Sequence, residues 1–367
     1  MRIALLVPTL EIGGVERVFA NLANGLHQCG AEVDLVVGRT GGDMGMVLEK
    51  DIRVFDLESD RMMKSVPRVA RYLRARKPEA MIAAMTHSSA AAAVARAIAR
   101  QKTKIVATEH NTMSQIVANT SGLKYRLMPL WSRWALNAAD SIVAVSAGVA
   151  NDLSTQTGIP HENLRVIYNP VITDALYSAA RAAVEHPWFQ PGEPPVILAV
   201  GRLDKQKDFP MLIHAFRLVK DRRPARLMFL GEGPDRSRIE QAIDDLDLTH
   251  DVTLPGFEHN PYRFMNRAAV FASSSQWEGF GVVLVEALAL GVPVVSTNCP
   301  HGPAEILCDG KFGALVPVGD HEAMAQALLA ALDHPLTEDS SAHLQQFTVR
   351  SVASSYLSLV QQLERSR

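Results

Sequence analysis

The chain has 367 residues, 47% of them hydrophobic and 21% charged, with a formal net charge of −2. At roughly 100–200 residues per domain, two domains with full cores are expected, and a largely disordered chain is excluded. A balance this close to neutral supplies no global field for nucleic acid, so any attraction to anions must come from local patches.

Short runs rich in β-branched residues alternate with longer helical patterns, the signature of parallel sheets with crossover helices, and the fold class is α/β. The N-terminus, MRIALLVPTL, reads into Glu11 and Gly13-Gly14 without a cleavage-type pattern, so it is a first strand at 3–7 and not a signal peptide. Gly13-Gly14 opens a helix at about Val15 whose amides suit a phosphate, although a glycine pair after a strand is by itself only a tight turn. Further strands are expected at 32–37, 80–84, 104–108, 141–145 and 164–167, completing one doubly wound sheet. The apolar stretch 80–99 is interrupted by Thr86, His87, Ser88, Ser89 and Arg96, a poor membrane span, and no transmembrane helix is expected.

At HPWFQPGEPP the pattern breaks, with Pro187, Pro191, Gly192, Pro194 and Pro195. This reads as a linker, 185–195, between a first domain, 1–184, and a second, 196–345. Strands at 196–200, 226–230, 252–254, 270–272 and 292–296 form a second, smaller sheet of the nucleotide-binding type. In the tail, 346–367, Val352, Tyr356, Leu359, Val360 and Leu363 fall at helical spacing after Thr348, a plausible N-cap for an amphipathic closing helix.

The richest segment is SSSQWEGFGVVLVEALALGVPVVST. Glu278 lies in a Gly-rich turn after a strand and Glu286 one turn into a helix expected at 282–290, so both can face the carboxyl end of the sheet, where open α/β folds bind ligands. Gly279 and Gly281 allow close backbone approach, and the helix N-terminus offers N–H groups to a phosphate. Glu286 sits inside an apolar run, where an unpartnered carboxylate is costly, and a ribose diol is the expected partner. In AVGRLDKQK, directly after the 196–200 strand, Arg202 and Lys207 could clamp a diphosphate and stabilise it as a leaving group.

Two glutamates separated by seven residues, in EGFGVVLVE, together with GRLDKQK after the first strand of the second domain, resemble the family-4 retaining glycosyltransferases. The resemblance implies the GT-B fold, two Rossmann-like domains facing each other across a cleft, with the closing helix crossing back to the first domain. It implies a donor site built from Gly201, Arg202, Lys207, Gly231, Gly233, Pro255, Gly256, Phe257, Glu278, Gly279, Phe280, Gly281 and Glu286, joined by Gly13 and Gly14 at the sugar phosphate. It also makes His110, in TEHN, a residue near the transferred sugar. The implied catalytic set is His110, Glu278, Arg202 and Lys207, with the base near the 230–234 and 254–257 loops, the ribose on Glu286 and the sugar hydroxyls on Glu278. The activity implied is transfer, with retention, of a hexose or N-acetylhexosamine from a nucleotide sugar, UDP preferred. The acceptor would be a saccharide or a polyprenyl-diphosphate-linked glycan in cell-envelope biosynthesis. A glycosidase-like double displacement is disfavoured, because the two glutamate backbones lie up to roughly 12 Å apart at helical rise. Other readings are a nucleotide-sugar epimerase or phosphorylase on the same fold, or a non-catalytic nucleotide-sugar-binding module.

No cofactor is expected. The one Asp-x-Asp triplet, Asp245-Leu246-Asp247, lies in a polar helical region away from any strand end, so metal independence follows. From Arg61 to Lys77 the run RMMKSVPRVARYLRARK carries seven basic residues and no acidic one, with Arg61, Lys64, Arg68 and Arg71 at helical spacing on one face; Pro67 fits best in a helix's first turn, so part of the stripe is expected before the helix. Such a stripe is either a solvated face or a surface for anionic lipid and a lipid diphosphate. The mixed basic and aromatic segment 124–134 (KYRLMPLWSRW) tilts the reading toward the membrane. Cys29, Cys299 and Cys308 lack a CxxC pair, suggest neither disulfides nor zinc, and fit a reducing cytosol; with the two patches, the expectation is a cytoplasmic protein, peripheral on the cytoplasmic face of the membrane.

Overall fold

The computed structural model describes residues 1–10, 13–41, 48–120, 122, 127–334 and 338–366. It forms two compact units, Met1–Val171 with Gln346–Arg367, and Ile172–Gln345.

The first unit holds β1 (Arg2–Thr9), β2 (Glu32–Arg39), β3 (Arg53–Asp56), β4 (Ala80–Ala84), β5 (Lys104–Glu109), β6 (Ser141–Ala144) and β7 (Leu164–Val166) in one parallel sheet, ordered β3-β2-β1-β4-β5-β6-β7. Central strands are apolar on both faces because helices cover both, and Ile3 to Val7 are fully buried. The helix Gly14–Gln28 follows β1 and buries Val18, Phe19, Leu22 and Leu26, one stripe at helical spacing. Strand order reverses between β1 and β4, and ligands of such sheets bind outside the carboxyl ends of the strands at that switch. The edge strand β3 was not expected: RVFD is largely exposed, and its polar character blunts a sheet edge.

The second unit holds β8 (Val196–Val200), β9 (Arg226–Leu230), β10 (Val252–Gly256), β11 (Val270–Ser273), β12 (Val294–Thr297) and β13 (Ala314–Val316), ordered β10-β9-β8-β11-β12-β13 and again parallel. β12 starts two residues later than expected, just past Pro293, which lacks an N–H for the ladder and offers its carbonyl to the Phe271 amide instead. The three-residue edge strand β13 was also unexpected.

The boundary between units corrects the expected one. The chain enters the second unit at Ile172, so the 185–195 stretch is part of that unit and not a linker. The helix Asp174–Ala180 is tied to it, because Asn260 and Asn266 donate to the carbonyls of Ala179 (2.9 Å) and Ala180 (3.3 Å). Phe189 of the Pro-rich stretch meets Phe264 edge-on, with ring centroids 5.7 Å apart. The closing helix, Val349–Arg365, is capped by the Thr348 hydroxyl and belongs to the first unit. It packs on Gly14–Gln28 where Gly25 leaves room, since a Cβ there would lie 2.5 Å from Val349 Cγ1.

Candidate active site

In the second unit the order reverses between β8 and β11, so the loops leaving those strands flank the ligand-binding end of the sheet. One runs through Gly201, Arg202 and Lys207 to the helix Phe209–Lys220; the other runs through Ser275 and Glu278 to the helix Val282–Ala289. Several hydrogen bonds join them. The Gln276 amide donates to the Gln206 carbonyl (2.7 Å), the Ser274 hydroxyl to the Lys207 carbonyl (2.7 Å) and the Gln276 side chain to Asp208 (3.0 Å).

That clamp delivers Lys207 to Glu278, with Nζ 2.5 Å from Oε1, which also accepts from the Ser275 hydroxyl at 2.7 Å. Burial works against the Lys207 ammonium, but the charge and hydrogen bond of Glu278 outweigh it and hold the lysine above its ordinary value. Beside the pair, burial and then the Glu278 charge push the Cys299 thiol up to about 12, which leaves it protonated and inert. A Cβ at Gly201 would meet Lys207 Cε at 3.1 Å, so the bare backbone there lets the lysine stem lie across the loop. The Arg202 guanidinium points outward with 73% of its side chain exposed, and its Nε is 3.8 Å from Asp204.

The loops after β9 and β10 close on the same region through their glycines. The Gly201 amide donates to the Leu230 carbonyl (3.0 Å) and the Gly231 amide to the Gly256 carbonyl (2.9 Å). A Cβ at Gly231, where φ is 149°, would fall 1.9 Å from the Gly201 carbonyl oxygen. These glycines therefore serve loop-on-loop packing first. Gly233 approaches the Leu203 carbonyl in the same way. Pro255 and Phe257 stay exposed, the latter edge-on to His259.

Two of the expected donor residues are buried. Glu286 is buried, yet the Tyr262 hydroxyl donates to its Oε1 at 2.9 Å, so burial alone does not demand a ligand as partner. The Phe280 side chain is buried in the core, and a Cβ at Gly302 would fall 1.8 Å from its carbonyl oxygen. The Asp245–Asp247 triplet lies at the end of the helix Arg236–Asp245, with Asp247 at a φ of 54°. Among the described residues no group of three or more His, Cys, Asp or Glu is arranged to hold a metal ion.

In the first unit, His110 follows β5 and packs against Phe19, ring centroids 5.6 Å apart. The Thr108 hydroxyl donates to the Ala83 carbonyl (3.1 Å), so it accepts from His110 Nε2, 2.9 Å away, and this fixes the tautomer. Burial drives the imidazole down to about 4 despite a hydrogen bond with Asn169. The unfolded chain, with an ordinary value of about 6.5, takes up this proton first, so His110 costs stability as pH falls from about 6.5 to 4 and nothing above. His110→Gln is expected to remove up to about 3 kcal/mol of that acid-side loss, read from denaturant unfolding of wild type and variant between pH 4 and 7. Gly13 caps the helix Gly14–Gln28, but its amide end faces an internal anion. A Cβ at Gly13 would lie 2.2 Å from a Glu16 carboxylate oxygen, and Thr9 donates to the other at 3.3 Å. That carboxylate competes with the phosphate expected there.

Residues 12–175 match the model of Glycosyltransferase Family 4, and residues 182–347 match that of Glycosyl transferases group 1. The chain belongs to this family of glycosyltransferases. It is 34% identical over 195 residues, 53% of this chain and 51% of the relative, to N-acetylgalactosamine-N,N'-diacetylbacillosaminyl-diphospho-undecaprenol 4-alpha-N-acetylgalactosaminyltransferase of Campylobacter jejuni; the match thus spans about half of that relative's length. Over 324 residues, 86% of this chain and 84% of the other, it is 27% identical to the lipopolysaccharide core biosynthesis glycosyltransferase LpsE of Rhizobium meliloti. The structure of Anabaena HepE in complex with UDP and glucose superposes with a TM-score of 0.81 at 21% identity, covering 99% of this chain and 100% of that one. The fold is therefore GT-B, two parallel-sheet Rossmann-like domains.

The basic stripe of this glycosyltransferase divides at Pro67, with part of it before the helix, as the proline's place in a first turn implies. Arg61 is extended, residues Met62–Ser65 form a 3-10 turn, and only from Val66 to Arg76 is there an α-helix, with Pro67 in its first turn. All four basic side chains are exposed, but Arg68 is anchored to the carbonyls of Leu57 and Glu58 and to the Glu58 carboxylate. Of the second patch, 124–126 lies outside the described residues; Leu130, Trp131 and Trp134 are exposed on the helix Met128–Asn137. Among the described residues, no helix is long and apolar enough to cross a membrane.

Sequence reading overlooked Glu109, Thr86, Tyr262 and Asn169. For Glu109 a signal existed: KIVATE places a carboxylate at the end of an otherwise apolar buried strand, the argument already applied to Glu286.

Proposed function

We propose that this glycosyltransferase moves a hexose or N-acetylhexosamine, with retention, from a UDP-sugar to a saccharide carried on a lipid diphosphate. The observation that carries the donor side is the Lys207–Glu278 pair, set beside Arg202 at the ligand-binding end of the second sheet. In this reading a diphosphate draws the Lys207 ammonium and the outward-facing Arg202 guanidinium, which stabilise it as a leaving group. Glu278 turns to hydroxyls of the transferred sugar, and Glu286, oriented by Tyr262, to the ribose. Phe257 offers an exposed ring near the base. As the sugar–phosphate bond breaks, an oxocarbenium-like centre forms, and the acceptor hydroxyl attacks from the same face. Its proton passes to the departing phosphate oxygen, so no protein base is required and no metal is invoked.

The acceptor class draws on the named substrate of the Campylobacter jejuni relative, a diphospho-undecaprenol, and the cell-envelope setting on the lipopolysaccharide relative. UDP is favoured by the ligand of the Anabaena structure. Exposed Arg61, Lys64 and Arg71 suit the diphosphate or an anionic membrane surface, and Trp131 and Trp134 suit its interface.

A thermal-shift panel of nucleoside diphosphates and their sugars tests the donor side. UDP and one UDP-sugar class are expected to stabilise the protein by several degrees at saturating concentration. Equal, negligible shifts for UDP, GDP and ADP would overturn the donor assignment.

A further inference from the structure

One buried acid of the first unit has no part in the reading above. Glu109 ends β5 and is 7% exposed, in a strand whose residues 105 to 109 are all buried. A carboxyl in such a place costs free energy unless the fold supplies partners. The same unit shows what a structural buried acid looks like here. Asp34, on β2, accepts from the Tyr72 hydroxyl (2.8 Å) and from Arg76 Nε (3.0 Å), with Arg53 Nε at 3.4 Å.

Glu109 is built differently. The Thr86 hydroxyl donates to Oε1 at 2.6 Å, and among the described residues Oε2 has no hydrogen-bond partner. Burial therefore raises the carboxyl to about 7, with Thr86 drawing it partly back and no neighbouring charge contributing. His110 follows Glu109 in the chain and His87 follows Thr86, and burial keeps both below the ordinary histidine range; the helix Val349–Arg365, which also packs on β5, buries Tyr356, and burial holds that hydroxyl above the usual tyrosine range. From the flanking strands the ladder places Ala84 opposite Thr108 and Ala144 opposite Glu109. Thr86 itself is buried and follows Met85, whose φ of 65° is a left-handed conformation that a non-glycine residue adopts at a cost. Glu109 lies at the carboxyl end of β5, one strand removed from the β1/β4 switch, and that end is the ligand-binding end of the sheet.

We propose that Glu109 is a substrate-binding residue, whose second carboxylate oxygen accepts a hydrogen bond from a hydroxyl of the acceptor saccharide while Thr86 holds the first. A neutral hydroxyl fits because it satisfies the oxygen without bringing a second charge into a buried place. The proposal rests on the reading that the first unit receives a saccharide acceptor. The ionised form is the one that binds, so acceptor use rises with pH.

Steady-state transfer by wild type, Glu109→Gln and Thr86→Val between pH 5.5 and 8.5 tests it, with acceptor and donor varied separately. In wild type, kcat/KM for the acceptor is expected to rise with a midpoint near 7 and level off above about 8. Glu109→Gln should lose that limb and, at pH 8, be at least about tenfold poorer in acceptor KM, with donor KM unchanged. Thr86→Val should move the midpoint to higher pH, a readout available even if Glu109→Gln folds poorly. A Glu109→Gln enzyme with the wild-type acceptor KM and pH limb, or an unmoved midpoint in Thr86→Val, would overturn the proposal alone. A wild type that transfers to no saccharide acceptor from a UDP-sugar that stabilises it would overturn the parent reading as well.

Discussion

Glu278→Ala is expected to lower glycosyl transfer by about three orders of magnitude while leaving UDP affinity no weaker than in wild type. The carboxylate is 7% exposed and gripped by Lys207, Ser275 and Gln206, so its position is fixed to within the play of three hydrogen bonds. A group held that way can orient the transferred sugar, and losing such a positioned contact typically costs 10²–10³ in turnover, about 3–4 kcal/mol. UDP should not suffer, because the variant removes a negative charge from beside the lysine assigned to the diphosphate. Initial rates with a labelled donor check the first part. Glu278→Ala transfer within tenfold of wild type would remove Glu278 from the mechanism.

Lys207→Met should be damaging in a second way. Methionine keeps much of the stem that crosses Gly201 but leaves the Glu278 carboxylate without its counter-ion in a site where both partners are largely buried, 17% and 9% exposed. Breaking a buried pair from one side costs about 3 kcal/mol. The second unit should therefore melt several degrees lower, and transfer should fall by at least about 10², because the leaving diphosphate loses a cation. Adding Glu278→Ala to Lys207→Met should restore much of the stability and none of the activity, since the orphaned charge is gone. Calorimetry of the two single variants and the double variant provides the check. A double variant no more stable than Lys207→Met would mean that the two side chains are not coupled.

The two sheets were legible because buried parallel strands read as uninterrupted apolar runs, and 80–84, 196–200 and 226–230 were placed at the observed bounds. β3 and β13 were not, because an edge strand has one unpaired side and tolerates polar or very short sequences such as RVFD and ALV. Glu278 and Lys207 could each be picked from local pattern, but their contact spans 71 positions and comes from the adjacency of β8 and β11. Glu286 shows the limit of a burial argument made from one segment. The inference that it needs a polar partner was sound, but Tyr262, on another helix, supplies one. In the basic stripe Pro67 marked where the helix starts, but residue spacing cannot show that Met62–Ser65 winds as a 3-10 turn or that Arg68 is anchored to Leu57 and Glu58.

The most direct measurement is calorimetric titration of UDP into wild type, Lys207→Met and Glu278→Ala at one pH and ionic strength. If the pair marks the donor diphosphate site, Lys207→Met weakens UDP by at least about tenfold, as expected for a lost charge-assisted contact, and Glu278→Ala binds as tightly as wild type or more so. Equal UDP affinity in all three proteins would place the diphosphate elsewhere and contradict the account.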